Sequence, residues 1–325
     1  MKRAIVVLAA ALAALALAGC GAPKKAEKGG TKITAVLMAL NSDYWHMVEA
    51  GCLKGGRELG ANVVVMGPTS ESDVTGQIAM IEDQITSGAK GIILAPTEPK
   101  ALIPVLTKAR EKKIPVAIVD ADIDASAKEL RLTFIGTSEL AAAREVGRYL
   151  LTKLKAGDQV GIIRGLAGSP NHTWRTDGCR EVLEAAGVKV VSVQPADSER
   201  GKAVGVAENM LEAYPKIAAI YATNDEMALG AYQACEGRKR TEIFIVGFDG
   251  SPDALKSIKA GKLGASLAQK PIDMGYKGVE AILKSLKGEQ VEALIESPVE
   301  IVDKSNVEAF EAKLNAELAA AAPKK

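Results

Sequence analysis

The 325 residues are 48% apolar and 25% charged, enough for two ordinary cores and too apolar for a disordered chain. A net charge of +1, from 41 basic and 40 acidic side chains, leaves no electrostatic footprint for nucleic acid and argues against such a partner. Only 4% of residues are aromatic, so an aromatic at the end of a strand stands out.

At the N-terminus, Lys2 and Arg3 precede an apolar run from Ala4 to Ala18. The run falls short of the ~20 residues a spanning helix needs, and residues 1–20 read as a secretory signal. Its end, "LAGC" (Leu17 to Cys20), resembles the bacterial lipobox. That resemblance implies cleavage before Cys20 and lipid on its thiol, anchoring the chain to a membrane in the periplasm or on the outer face of the cytoplasmic membrane. Residues 21–30, "GAPKKAEKGG", read as a flexible tether. Setting Cys20 aside leaves Cys52, Cys179 and Cys235, an odd and widely spaced set. Only Cys179 and Cys235 fall in one half of the chain; small buried thiols in helices are the simpler reading. His46 and His172 have no metal-ligand spacing with them, so neither metal nor cofactor is expected.

From Ile33 strands and helices alternate. "ITAVLMAL" (33–40) has strand length and "YWHMVEAGCLKGGREL" (44–59) helical spacing. Then come "ANVVVMGP", a helix through "SDVTGQIAMIEDQITS", "GIILAP", a helix to Lys113, and "IPVAIVD". Short apolar strands between helices predict parallel sheets covered on both faces. The pattern then repeats. "LGANVVVMGPTSESD" (59–73) matches "AGVKVVSVQPADSER" (186–200), "AKGIILAPTEP" (89–99) matches "KIAAIYATNDE" (216–226), and "IPVAIVDAD" (114–122) matches "EIFIVGFDG" (242–250). The chain therefore reads as two doubly wound α/β lobes. Between the halves, "LTFIGTSELAAAREVG" reads as a strand and a helix with Ser138 as N-cap and Glu139 in its first turn. Further on, a strand ends at Gln269, a helix starts at Pro271, "PVEIVDKSN" is a last strand, and a helix closes the chain.

In "IFIVGFDGSPDALKSI" (243–258) an acid stands where a buried strand ends. Ser251 and Pro252 already start the following helix, which leaves Asp249 without a capping role. The repeat makes Asp120 its counterpart. Ligands of open α/β sheets bind outside the carboxyl ends of the strands, so two facing lobes would bring both acids to one cleft.

"QPAD" (194–197), "TNDEMALGA" (223–231), "VGFDGSPDA" (246–254) and "LAQKPIDMGYKGVE" (267–280) together resemble the ribose-type periplasmic sugar-binding proteins, over nearly the whole mature chain. The resemblance implies the type I periplasmic binding protein fold, with two lobes joined by a three-strand hinge. Its boundaries would be 31–134 plus 270–298 and 135–269 plus 299–325. It further implies a monomer that closes on a sugar or polyol and hands it to the permease and ATPase of an importer. The ligand contacts it implies are Ser42, Tyr44, Trp45, Asp120, Arg175, Ser198, Asn224, Asp249 and Gln269, with Asn171, His172 and Trp174 as weaker candidates.

Two positions depart from the ribose pattern. Ala121 stands where ribose binders carry an arginine, and Ser198 where they carry an aromatic. Both changes remove bulk and point to a larger or differently hydroxylated ligand, with Asp122 a candidate for the lost polar contact. Carboxylates, amides and a guanidinium suit the hydroxylated edge of a sugar, and Tyr44 and Trp45 suit its C–H faces.

An enzyme is disfavoured. No glycine follows the first strand in "ALNSDYWH", so neither a phosphate loop nor a dinucleotide fingerprint is present there. Acids from opposite lobes, set among amides, suit binding better than glycoside hydrolysis. Sugar-responsive repressors share the fold but need a helix-turn-helix where this chain has its signal and tether. A receptor for a furanosyl signal sugar is the alternative that shares both fold and location.

Overall fold

The computed structural model describes residues 30–322; the signal, Cys20 and residues 21–29 of the tether lie outside the described residues. From Thr31 the chain runs β1 (Thr31–Val36), α1 (Asp43–Leu59), β2 (Ala61–Met66), α2 (Val74–Thr86), β3 (Gly91–Leu94), α3 (Ile103–Glu111) and β4 (Val116–Val119). After a 3-10 turn (Ala125–Leu130) follow β5 (Thr133–Gly136), α4 (Glu139–Leu150), β6 (Gln159–Arg164), α5 (Pro170–Ala185), β7 (Lys189–Pro195), α6 (Arg200–Ala213) and β8 (Ile217–Ala222). The rest is α7 (Asp225–Gly237), β9 (Phe244–Asp249), α8 (Pro252–Lys259), β10 (Ala265–Ala268), α9 (Pro271–Leu286), β11 (Leu294–Glu296), β12 (Glu300–Asp303) and α10 (Val307–Ala321).

These strands form two six-stranded sheets, ordered β11-β5-β4-β3-β1-β2 and β12-β10-β9-β8-β6-β7. The second order is the first one walked again, so the sequence repeat is a repeat of topology. Every pairing is parallel except β10 with β12. β3 and β4 are buried at every position, as parallel strands covered on both faces must be. Each sheet has a core on both faces. In the first, Ile33, Ile93 and Ile282 pack on one side, and Ile92, Leu94 and Ile118 on the other. In the second, Ile220, Ile245 and Leu255 lie on one side, and Val246, Phe248 and Leu267 on the other.

The first strand stops pairing at Val36, although apolar residues continue to Leu40. Leu37 to Ala39 are buried, so the run tracks burial rather than the ladder. The three-residue β11 was not anticipated; its residues are mostly exposed and show no apolar pattern. Within α1, glycine is needed for contact: a Cβ on Gly51 would lie 2.0 Å from the Ile272 carbonyl oxygen of α9. This close approach packs the two helices of the first lobe together.

The chain passes between the sheets three times, after β5, after β10, and between β11 and β12. The crossings are tied side by side. Thr137 Oγ1 donates to Gln269 Oε1 at 2.7 Å, and Ser297 N donates to Gly136 O at 2.8 Å. Cys52, Cys179 and Cys235 are fully buried free thiols. Among the described residues no helix is long and apolar enough to cross a membrane.

Candidate functional site

The carboxyl ends of the two sheets face a common cavity with about 530 Å³ of empty space, its mouth included. From the first lobe Ser42, Tyr44 and Trp45 arrive at the start of α1, Glu71 from the loop after β2, and Asp120 from the end of β4. From the second lobe Asn171, His172 and Arg175 arrive on the first turns of α5, Asn224 at the start of α7, and Asp249 from the end of β9.

The two acids share a backbone peculiarity. Asp120 has φ +66° and Asp249 φ +126°, a region that side chains with a Cβ rarely enter. Ser198, at φ +64°, and its neighbour Asp197, at φ +51°, share it, as do Lys113 and Lys239 away from the cavity. Each such residue costs on the order of 1–3 kcal/mol and persists only where the surroundings impose it, often at ligand sites. For Asp249 the helix start gives no reason, because Ser251 caps α8, accepting from Ala254 N at 3.3 Å.

Arg175 is the central cation. Its guanidinium lies 3.9 Å from the centre of the Phe248 ring. Nε and Nη2 donate to the two oxygens of Glu139 at 2.7 and 2.8 Å, and Nη1 to the Thr223 carbonyl at 3.0 Å. Nη1 also stands 3.7 Å from Asp249 Oδ1. Burial alone would lower the arginine's pKa, but Glu139, Asp249 and Asp120 hold it well above its usual value. Asp177 and Glu181, near Arg175 in sequence on the same helix, are not its partners. The structure supplies Glu139 instead, an acid that reads in sequence only as a first-turn charge on α4.

Asp120 accepts from the Tyr44 hydroxyl on Oδ1 and, across the lobes, from Asn171 Nδ2 at 3.4 Å on Oδ2. Asp249 Oδ1 accepts from Gln269 Nε2 at 2.9 Å, while its Oδ2 meets no donor of the described residues. Trp45 Nε1 donates to Glu71 at 2.8 Å. Burial raises the pKa values of Glu71, Asp120 and Asp249; Arg175 opposes it in each case, and neighbouring hydrogen bonds do too. His172 is wedged between Thr223 Oγ1 at 2.8 Å and Ser198 Oγ at 3.0 Å. Burial, reinforced by Arg175 and Arg164, lowers its pKa well below the usual value and keeps it neutral.

Nine of the residues named from sequence border the cavity: Ser42, Tyr44, Trp45, Asp120, Asn171, His172, Arg175, Asn224 and Asp249. Ser42 is the N-cap of α1 but makes no cap bond with its hydroxyl. Asn224 does cap α7, accepting from Met227 N at 2.9 Å, so its amide serves helix and cavity at once. Ser198 and Gln269 stand one layer back, bracing His172 and Asp249. Asp122 is not brought to the cavity. The side chain of Arg131, largely buried beside it, takes its carboxylate at 2.7 Å, so Asp122 does not replace the missing arginine at Ala121. Trp174 is 44% exposed on the outer face of α5 and does not line the cavity. Sequence reasoning missed Glu71. Its place in the loop after a parallel strand was the available signal.

Residues 33–290 match the periplasmic binding protein domain family. The chain belongs to this family. Among its relatives is the ribose import binding protein of Salmonella typhimurium, 34% identical over 261 residues, 80% of this chain and 86% of that one. The D-ribose/D-allose-binding protein of Pseudomonas aeruginosa is 34% identical over 307 residues, covering 90% and 96%. An ABC transporter solute binding protein from Agrobacterium vitis with bound D-fucose superimposes at TM-score 0.83, with 28% identity over 87% of this chain and 98% of that one. As a periplasmic binding protein, the chain is a solute-capturing subunit of an ATP-driven importer and not an enzyme.

Proposed function

We propose that this periplasmic binding protein captures a monosaccharide, polyol or cyclitol of hexose size between its lobes, prefers it to ribose, and is held at the membrane by lipid on Cys20. The observation that carries the reading is the convergence of Asp120 and Asp249, strained at equivalent strand ends, on one buried guanidinium. Asp120, Asp249, Arg175, Asn171 and Asn224 provide charged and amide partners for ring hydroxyls. Tyr44 and Trp45, edge to face at 5.0 Å between ring centres, offer apolar surface for the C–H faces. Ser198 puts a hydroxyl on His172 where ribose binders have an aromatic, and Ala121 leaves no guanidinium beside Asp120. Both leave room for a ligand larger than a pentose. The crossovers support closure about a hinge, and the domain acts as a monomer with its sugar enclosed.

Calorimetry against pentoses, hexoses, polyols and inositols tests the preference. A micromolar or tighter ligand, about −8 kcal/mol, is expected among the six-carbon compounds; ribose as the tightest of the panel overturns the preference. Cys20→Ser tests the anchor. The variant should release a soluble protein or accumulate as unlipidated precursor, and wild-type partitioning into detergent after signal cleavage would refute lipidation.

A further inference from the structure

The charges around the cavity do not balance. Arg175 is committed to Glu139 through a two-pronged pair, and its remaining nitrogen donates to the Thr223 carbonyl and stands 3.7 Å from Asp249 Oδ1. That pair is neutral. Among the described residues that leaves Glu71 and Asp120 on the cavity wall with no ion pair, and Asp249 sharing the guanidinium already paired with Glu139. Of the nearby guanidinium groups, Arg131 is engaged by Asp122, and Arg200 by Glu226 and Asp253; Arg164, whose charge acts on His172, donates to Thr173 Oγ1 at 3.0 Å and does not border the cavity. Relative to the ribose pattern, Ala121 removes one positive charge from this wall, and Glu71 stands on it as a further carboxylate.

The acids lie close enough to disfavour one another's ionisation. Asp120 pushes up the pKa of Glu71, and it pushes up that of Asp249. Asp249 borders the cavity and is only 7% exposed, yet its Oδ2 meets no donor among the described residues. A neutral sugar would leave this repulsion in place. A bare metal ion does not fit either, because no three His, Cys, Asp or Glu side chains among the described residues are grouped closely enough to hold one. The carboxylates are spread around a space of molecular size. An ammonium on a sugar ring answers both conditions: it brings one positive charge and three N–H donors, while the ring keeps the hydroxyls and C–H faces that the amides and aromatics suit.

We infer that the ligand is an amino sugar or amino cyclitol, whose ammonium is received by the carboxylates of Glu71, Asp120 and Asp249. The inference rests on the reading of this cavity as a sugar site and adds the charge of its ligand.

Matched pairs test it by calorimetry on the purified chain at pH 7.5: glucose with glucosamine, galactose with galactosamine, mannose with mannosamine, and myo-inositol with an aminodeoxy-inositol. At least one amine should bind ten-fold or more tightly than its neutral partner. Glu71→Gln, Asp120→Asn and Asp249→Asn are then compared on that pair, with a melting curve to show that each is folded. At least one should reduce amine affinity ten-fold or more while changing the neutral partner's much less. Neutral compounds binding as tightly as every amine would overturn the inference and leave sugar capture standing. Amine selectivity that survives all three substitutions would overturn the carboxylate assignment. Failure of the whole panel to bind would count against the sugar reading itself.

Discussion

The two lobes follow one strand path yet bring different chemistry to the cavity. The first contributes Tyr44, Trp45, Glu71 and Asp120, acids and aromatics without a cation. The second contributes Arg175, His172, Asn171 and Asn224 around a single strand-end acid, Asp249. The equivalent acids are also held differently. Asp120 is gripped by a phenol of its own lobe and an amide of the other, whereas Asp249 is gripped by Gln269, which in turn accepts from Thr137 at the neighbouring crossover. A repeat therefore fixes where an acid stands, while its neighbours decide what it senses. Asp120 is coupled to the approach of the lobes, and Asp249 to the hinge.

The largest break in this comparison is removal of the second lobe's cation. Arg175→Met leaves Glu139, 3% exposed, as a buried charge without its partner. Breaking a buried pair in this way costs about 3–5 kcal/mol. A clear fall in melting temperature and loss of ligand binding are expected, and a variant of unchanged stability would contradict the central role of the pair.

Next come the two acids, compared directly. Asp249→Ala and Asp120→Ala each remove a charged hydrogen-bond partner worth roughly 1.5–3 kcal/mol, so affinity should fall about ten- to a hundred-fold or more. Stability without ligand should change less than affinity, because Ser251 still caps α8 and each substitution removes an acid whose burial already disfavours its charge. A large fall in melting temperature with affinity intact would make Asp249 a turn residue only.

Stability also depends on pH through Asp225, a further acid on the cavity wall. Asp225 accepts from Ser251 N and Ser266 Oγ, both at 2.7 Å, and burial pushes its pKa up to about 7. A raised carboxylate contributes stability that is full below its unfolded value near 4 and is lost as pH rises through about 7. The ligand-free protein should lose stability across that window. Asp225→Asn should make the loss shallower, as read from melting curves at a series of pH values.

The smallest effect concerns the bracing. Gln269→Ala frees Asp249 Oδ1 and severs the tie to Thr137. The lost bonds are worth about 1 kcal/mol each, so affinity should drop several-fold. Asn171→Ala should act similarly through faster ligand release, because its amide crosses between the lobes. If Gln269→Ala matched Asp249→Ala in size, the hinge bond and not the acid would dominate.

The sequence by itself determined the doubly wound repeat and the placing of Asp120 and Asp249 at matching strand ends. Both follow from short-range regularities: burial writes apolar runs into parallel strands, and a spare acid beside a capped helix is visible without coordinates. Asn224 was legible for the same reason, at a strand end where a helix starts, whereas Arg175 was assigned to the site only through the resemblance to the sugar-binding proteins. Only the tertiary structure decided the partners. Glu139 lies 36 residues before Arg175 and meets it because α4 and α5 pack together. Glu71 and Trp45 meet across 26 residues, and Thr137 and Gln269 across 132, at crossovers that join the two sheets. Asp122 was drawn away by Arg131, nine residues on, through a turn whose path its sequence does not show. Such pairings depend on where separate elements are brought by packing, and no spacing along the chain encodes that distance.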